Sequence, residues 1–160
     1  MNTSLIDRND VKETVRPEKV YALVSVLPQA ITAVAVLFFV SFYNDYLLLL
    51  LPLLFVIIAI YKYQLILSYN YHITEQQLIT EKGIFNKTVN YLEMYRIKDI
   101  IVNQPFWMKA AGLMNVTLLS FDSNEPVVII KGIKVSHLPQ AIRNQVQDCR
   151  LKNQVLTVDN

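Results

Sequence analysis

The sequence predicts a membrane α-helical hairpin followed by a mainly-β domain capped by a C-terminal α-helix. Three observations carry this. Charged residues make up 18% of the 160 residues against 53% hydrophobic, whereas a soluble domain is about a quarter charged. The apolar residues are concentrated: no charged residue lies between Val20 and Asn44, and none between Asp45 and Lys62. Beyond residue 68 the pattern changes to short alternating runs separated by polar turns, and it ends in an amphipathic stretch.

The two apolar runs define helices over about residues 20–43 and 46–67. At about 1.5 Å per residue, roughly 20 residues cross a hydrocarbon layer of about 30 Å. The second run is short unless Lys62 snorkels and Leu65, Ile66 and Leu67 extend it. The connection at Asn44 and Asp45 forces an antiparallel pair. Pro28 and Pro52 are expected to kink the helices, and Gln29 to make an interhelical hydrogen bond. Arg16 and Lys19 precede the first helix and Lys62 closes the second, while the connection has no basic residue. The positive-inside rule then places both termini in the cytoplasm, in a multi-pass protein of the inner (cytoplasmic) membrane. Tyr43 and Tyr46 are the expected anchors at the outer interface, and Tyr21, Tyr61 and Lys62 at the inner one.

Residues 1–19 carry four acidic and four basic side chains in alternation and read as a polar cytoplasmic tail with a short surface helix. A polar tail of this length is not the short basic start of a signal peptide. Residues 68–150 read as the folded domain. Strands are expected over 69–74, 78–82, 84–92 and 97–103, and two more over 116–121 and 127–131, joined by a polar turn. Residues 105–112 read as a short helical connection ended by Gly112. The terminal helix starts near Ser136 as N-cap, with Pro139 in its first turn. Leu138, Ala141, Ile142, Gln145, Val146 and Cys149 share one of its faces. Residues 151–160 read as a flexible tail.

The segment from Glu93 to Ile100 (Glu-Met-Tyr-Arg-Ile-Lys-Asp-Ile), followed by Gln104-Pro105, Gly112-Leu113 and Val116-Thr117-Leu118, resembles bacterial membrane proteins with a PH-like domain. So do Tyr71-His-Ile-Thr74, Leu78-Ile79 and Gly83. The resemblance covers about residues 18–148. It implies a PH-like fold, a bent antiparallel barrel closed by a C-terminal helix, and it implies no particular activity.

The residues offer no chemistry of their own. His72 and His137 are far apart in sequence, the single Cys149 allows neither a disulfide nor a cysteine-based zinc site, and three glycines form no phosphate loop. A net charge of +2 without a dense basic cluster argues against nucleic acid. No enzyme, cofactor or metal is expected. Specific phosphoinositide binding is not expected either, because the first hairpin turn, Thr74-Glu-Gln-Gln77, has no cation to meet a phosphate.

The candidate interaction residues are Arg96, Lys98, Phe106, Trp107 and Lys109. Arg96 could pair with Glu93 or Asp99 and fix a bend between strands, or it could meet a partner. Phe106 and Trp107 could plug one end of the barrel, or with Lys109 form a protein patch or a membrane-interface anchor. The expected partners are the bilayer and a protein, another subunit or a second copy, docked on a membrane-anchored scaffold module. The alternative is a lipid- or envelope-stress-sensing domain lying on the inner leaflet through Phe106, Trp107 and Lys109.

Overall fold

The computed structural model describes residues 11–42, 46–122 and 125–158. The chain runs β1 (Val11–Val15), α1 (Lys19–Val40), a 3-10 turn (Tyr46–Leu49), α2 (Leu50–Leu67), β2 (Asn70–Thr74), β3 (Gln77–Lys82) and β4 (Thr88–Glu93). A second 3-10 turn (Met94–Arg96) leads into β5 (Ile97–Asn103), α3 (Phe106–Ala110), β6 (Leu113–Ser120), β7 (Val127–Lys134) and α4 (Leu138–Val158).

Helices α1 and α2 form the expected antiparallel hairpin, each long and apolar enough to cross a membrane. At about 1.5 Å per residue, the 22 residues of α1 span roughly 33 Å. The helices meet through small or compact residues, with Ala33, Pro52 and Ala59 buried between them. Their outer faces are bare: Ile31, Val34 and Phe39 are about two-thirds exposed. Pro28 donates no backbone hydrogen bond, and the Thr32 hydroxyl donates to its carbonyl at 2.7 Å. Tyr43 lies outside the described residues, and Tyr46 opens the 3-10 turn.

The N-terminal segment departs from expectation. Residues 11–15 are neither tail nor surface helix; they form β1, which pairs antiparallel with β2, Val15 opposite Tyr71 and Thr14 opposite His72. The rest of the expected tail up to residue 10 lies outside the described residues. The hairpin is therefore an excursion between two neighbouring strands of one sheet. Because β1 enters α1 and α2 returns into β2 side by side, both inner helix ends must lie on the same side as the domain.

The domain is built from two sheets, β1-β2-β3-β4 and β5-β6-β7, both antiparallel. The expected closed barrel is not formed: among the described residues no strand ladder joins the two sheets, and the chain turns the corner between β4 and β5 through the 3-10 turn. The core lies between the sheets and under α4, with Tyr71, Leu78, Leu92, Met94, Ile97, Leu118, Ile130 and Ile142 almost fully buried. Burial of each such aliphatic side chain contributes about 1.5–3 kcal/mol. Helix α4 inserts Leu138, Ile142 and Val146 as its stripe predicted, while Ala141 is exposed.

Four boundaries shift. Strand β4 starts at Thr88 rather than residue 84, because residues 83–87 are the turn that Gly83 closes. Strand β7 extends to Lys134 and β6 begins at Leu113. Helix α4 continues to Val158 through most of the expected flexible tail; residues 159–160 lie outside the described residues.

Candidate functional site

Strand register gives the domain two ends. The turn at residues 75–76, Met94–Arg96 and the β6–β7 connection lie at the end away from the hairpin: the Met94 amide donates to the Gln76 carbonyl at 2.8 Å, and Phe121 donates to Arg96 at 3.0 Å. The β3–β4 turn, α3 and the end of β7 lie beside the hairpin. The five candidate interaction residues are not one site. Arg96 and Lys98 belong to the far end; Phe106, Trp107 and Lys109 belong to the near end.

At the near end, Tyr21 of α1 stacks on Trp107 with ring centroids 5.9 Å apart. Its ring also lies over Gly132 of β7, whose φ of +59° suits glycine. The Glu18 amide donates to the Gly132 carbonyl at 2.9 Å, and Lys134 sits 3.6 Å from the Glu18 carboxylate. The first turn of α1 is thus bolted to the domain. Tyr21, expected as a lipid anchor, is a joint residue, and Trp107, 37% exposed, gives its ring face to that joint. Met108 is the α3 side chain that plugs the core, at 0% exposure, while Phe106 is 89% exposed.

Within the hairpin, Tyr61 is half-exposed. Lys62 reaches across instead of only snorkelling: with the Gln29 amide oxygen turned toward it, Nζ donates at 2.9 Å, and the amide nitrogen donates to Ser25 and Val26. The expected interhelical bond of Gln29 has a named partner.

At the far end, Arg96 is held by Glu93 at 2.9 Å and Asp122 at 3.1 Å. Asp99 instead accepts from the Ile100 amide. The Tyr95 hydroxyl first, then the carboxylates of Glu93 and Asp122, hold the guanidinium above its ordinary pKa. Arg96 lies over the Tyr95 ring at 5.7 Å, and Lys98 over the Phe121 ring at 5.5 Å. Phe121 is 68% exposed and Tyr95 39%. Sequence reasoning missed Phe121 as a companion of Arg96 and Lys98, since only the β5–β6 pairing, Ile97 opposite Ser120, brings it there.

The histidines sit in structural settings. His72 shares a 3.0 Å hydrogen bond with Thr14 between β2 and β1, and His137 gives its carbonyl to the Ala141 amide in the first turn of α4. Cys149 is partly buried against the Glu75 carbonyl, 3.2 Å away, and burial pushes its thiol up.

Two antiparallel sheets meeting at a corner, closed by a C-terminal helix and carried on an apolar helical hairpin, define a PH-like domain protein. Its family model, the bacterial PH domain, matches residues 22–150. The chain belongs to that family. Strand β1 precedes the matched region yet completes the first sheet. No curated protein and no solved structure matched the chain.

Proposed function

We propose that this protein is a two-pass protein of the cell membrane whose PH-like domain stands on the cytoplasmic face and docks another protein, without enzymatic chemistry of its own. The observation that carries the topology is the β1–β2 pairing across the hairpin, which requires both inner helix ends to emerge on one side. Arg16, Lys19 and Lys62 on that side make it the cytoplasmic one under the positive-inside rule. Bare apolar helix faces support lipid around the hairpin, because a water-soluble chain rarely exposes so large an apolar surface.

Docking is supported by the far end. Tyr95, Arg96 and Phe121 combine exposed aromatic rings with a pre-positioned guanidinium, residue types enriched at protein interfaces, and Lys98 lies over the Phe121 ring. The patch faces away from the membrane, and α4 extends beside it with Leu151 62% exposed. The partner is a second membrane subunit or another copy of the chain. Crosslinking and purification in mild detergent at native expression tests this. A partner or oligomer should be recovered, and Phe121→Ala should weaken its capture roughly tenfold. A monomeric, partner-free protein would overturn the proposal.

A second reading, sensing of the inner leaflet by the domain, is favoured by Phe106, exposed beside Lys109 at the membrane end. In that case the conformation of the joint would follow lipid composition, and Phe106→Ala would abolish the response.

A further inference from the structure

The β3–β4 turn was not among the sequence candidates, yet among the described residues it holds the most exposed large apolar side chain of the domain. Phe85 is 93% exposed, with Ile84 at 37%, and Lys82 and Lys87 stand exposed at either side. The turn is not a loose loop. Gly83 has φ +117°, and a Cβ there would fall 1.9 Å from the Asn86 carbonyl oxygen, so the backbone closes tightly on itself. The Gly83 amide donates at 3.3 Å to the hydroxyl of Ser68, the C-cap of α2, which itself donates to the Leu65 carbonyl at 2.7 Å.

Register fixes where this tip points. Asn70 pairs with Glu81, and Lys82 with Thr88. Residues 83–87 therefore project beyond the first residue of β2, alongside the last turn of α2, where Leu65, Ile66 and Leu67 are partly buried. A protein approaching from the cytoplasm would meet the opposite end of the sheet. On the other flank of the hairpin, Phe106 is exposed next to the Tyr21–Trp107 joint. Apolar tips thus stand on both sides of the helix pair, one beside α2 and one beside α1.

We propose that the turn at residues 82–87 is a lipid-insertion site for an anionic membrane surface. Phe85, with Ile84, enters the boundary between headgroups and acyl chains, and Lys82 and Lys87 bind headgroup phosphates on either side. The inserted tip, together with the bolted α1 joint, fixes the tilt of the domain and so the direction in which its far end faces. This inference rests on the membrane reading of the hairpin.

The test uses the full chain in vesicles of phosphatidylcholine alone or mixed with phosphatidylglycerol. A polarity-sensitive fluorophore is attached to Phe85→Cys in a Cys149→Ser background, with Ile31→Cys on the hairpin and Gln76→Cys on the far turn as references. Phe85 is so exposed that its replacement does not threaten folding. The label at 85 is expected to be quenched by brominated lipid and shielded from aqueous iodide, more strongly with phosphatidylglycerol; Lys82→Gln with Lys87→Gln removes that lipid dependence. The label at 76 should be quenched by iodide. If the label at 85 behaves like that at 76 while the label at 31 is in lipid, the insertion site is wrong and the hairpin reading stands. If the label at 31 is also in water, both fail. Insertion at 85 that is indifferent to phosphatidylglycerol would overturn the anionic headgroup assignment.

Discussion

The ring of Tyr21 covers Gly132 so closely that a β-carbon on the glycine would fall 2.1 Å from Tyr21 Cγ. This contact joins the first turn of α1 to the last strand of the domain. Replacing Gly132 by alanine combines overpacking, which costs typically about 1–3 kcal/mol, with a left-handed backbone angle that an alanine resists by about 1–2 kcal/mol. The variant should be destabilised by roughly 2–4 kcal/mol in detergent unfolding. Adding Tyr21→Ala should return part of that loss, because the clashes with Cγ and Cδ1 go while the one with Cβ stays; strict additivity in the double-mutant cycle would refute the contact.

The insertion of the hairpin between β1 and β2 makes a prediction about truncation. A fragment covering residues 68–150 lacks β1 and leaves the backbone edge of β2 unpaired, an invitation to strand pairing between copies. It should aggregate on size-exclusion chromatography. Joining residues 11–16 to residues 69–150 by a short glycine-asparagine linker should restore a soluble monomer, because Val15 and Tyr71 already stand opposite each other.

Tyr71 is buried, and its hydroxyl donates to the Ile129 carbonyl of the other sheet at 2.9 Å. Tyr71→Phe should cost about 1–2 kcal/mol, since a hydrogen bond is lost and little volume changes. Burial also pushes its phenol well above the ordinary tyrosine range. In an alkaline titration followed by ultraviolet absorbance, Tyr71 should ionise only when the domain unfolds.

Lys12 of β1 pairs with Glu75 at 2.9 Å, and this hydrogen bond and charge lower the Glu75 carboxyl below its ordinary pKa. The sign follows from the direction of the shift. The pair's contribution is present above the ordinary carboxylate range and is lost as pH falls through the lowered value. Both groups are exposed, so salt should weaken it. Protection of the β1 amides, with the exchange rate normalised to its intrinsic value at each pH, should fall on acidification at low ionic strength, and Glu75→Gln should remove that pH dependence while leaving β2 protected.

Cys149 reports both burial and topology. Its raised pKa lowers the thiolate fraction at neutral pH. A membrane-permeant maleimide should therefore react more slowly than with a free cysteine, and the rate should climb with pH. An impermeant reagent applied outside intact cells should miss Cys149 and label Phe42→Cys at the far tip of the hairpin; the reverse pattern would invert the orientation.

The hairpin, the strands after residue 68 and the stripe of α4 were legible because each is a local periodic pattern, and burial follows such patterns. Gln29 was legible as a partner in an interhelical hydrogen bond, but not the donor to its amide oxygen, Lys62, which lies in the other helix. Of the two carboxylates the sequence offers Arg96, Glu93 and Asp99, it pairs with Glu93, whereas its second carboxylate, Asp122, arrives through the β5–β6 ladder and not through sequence proximity.

The sequence by itself determined that two apolar helices lie close together, that a mainly-β domain follows, and that this domain resembles the PH-like family to which the chain belongs. Only the tertiary structure decided that a charged segment before the hairpin is the edge strand of that domain. Residues 11–15 alternate weakly and bury little, so their strand state comes from backbone pairing with β2, a partner more than fifty residues away. The same holds for the near and far ends. Which aromatic faces the hairpin and which faces outward is set by strand direction and register, and those are properties of pairing between distant segments that no local stretch encodes.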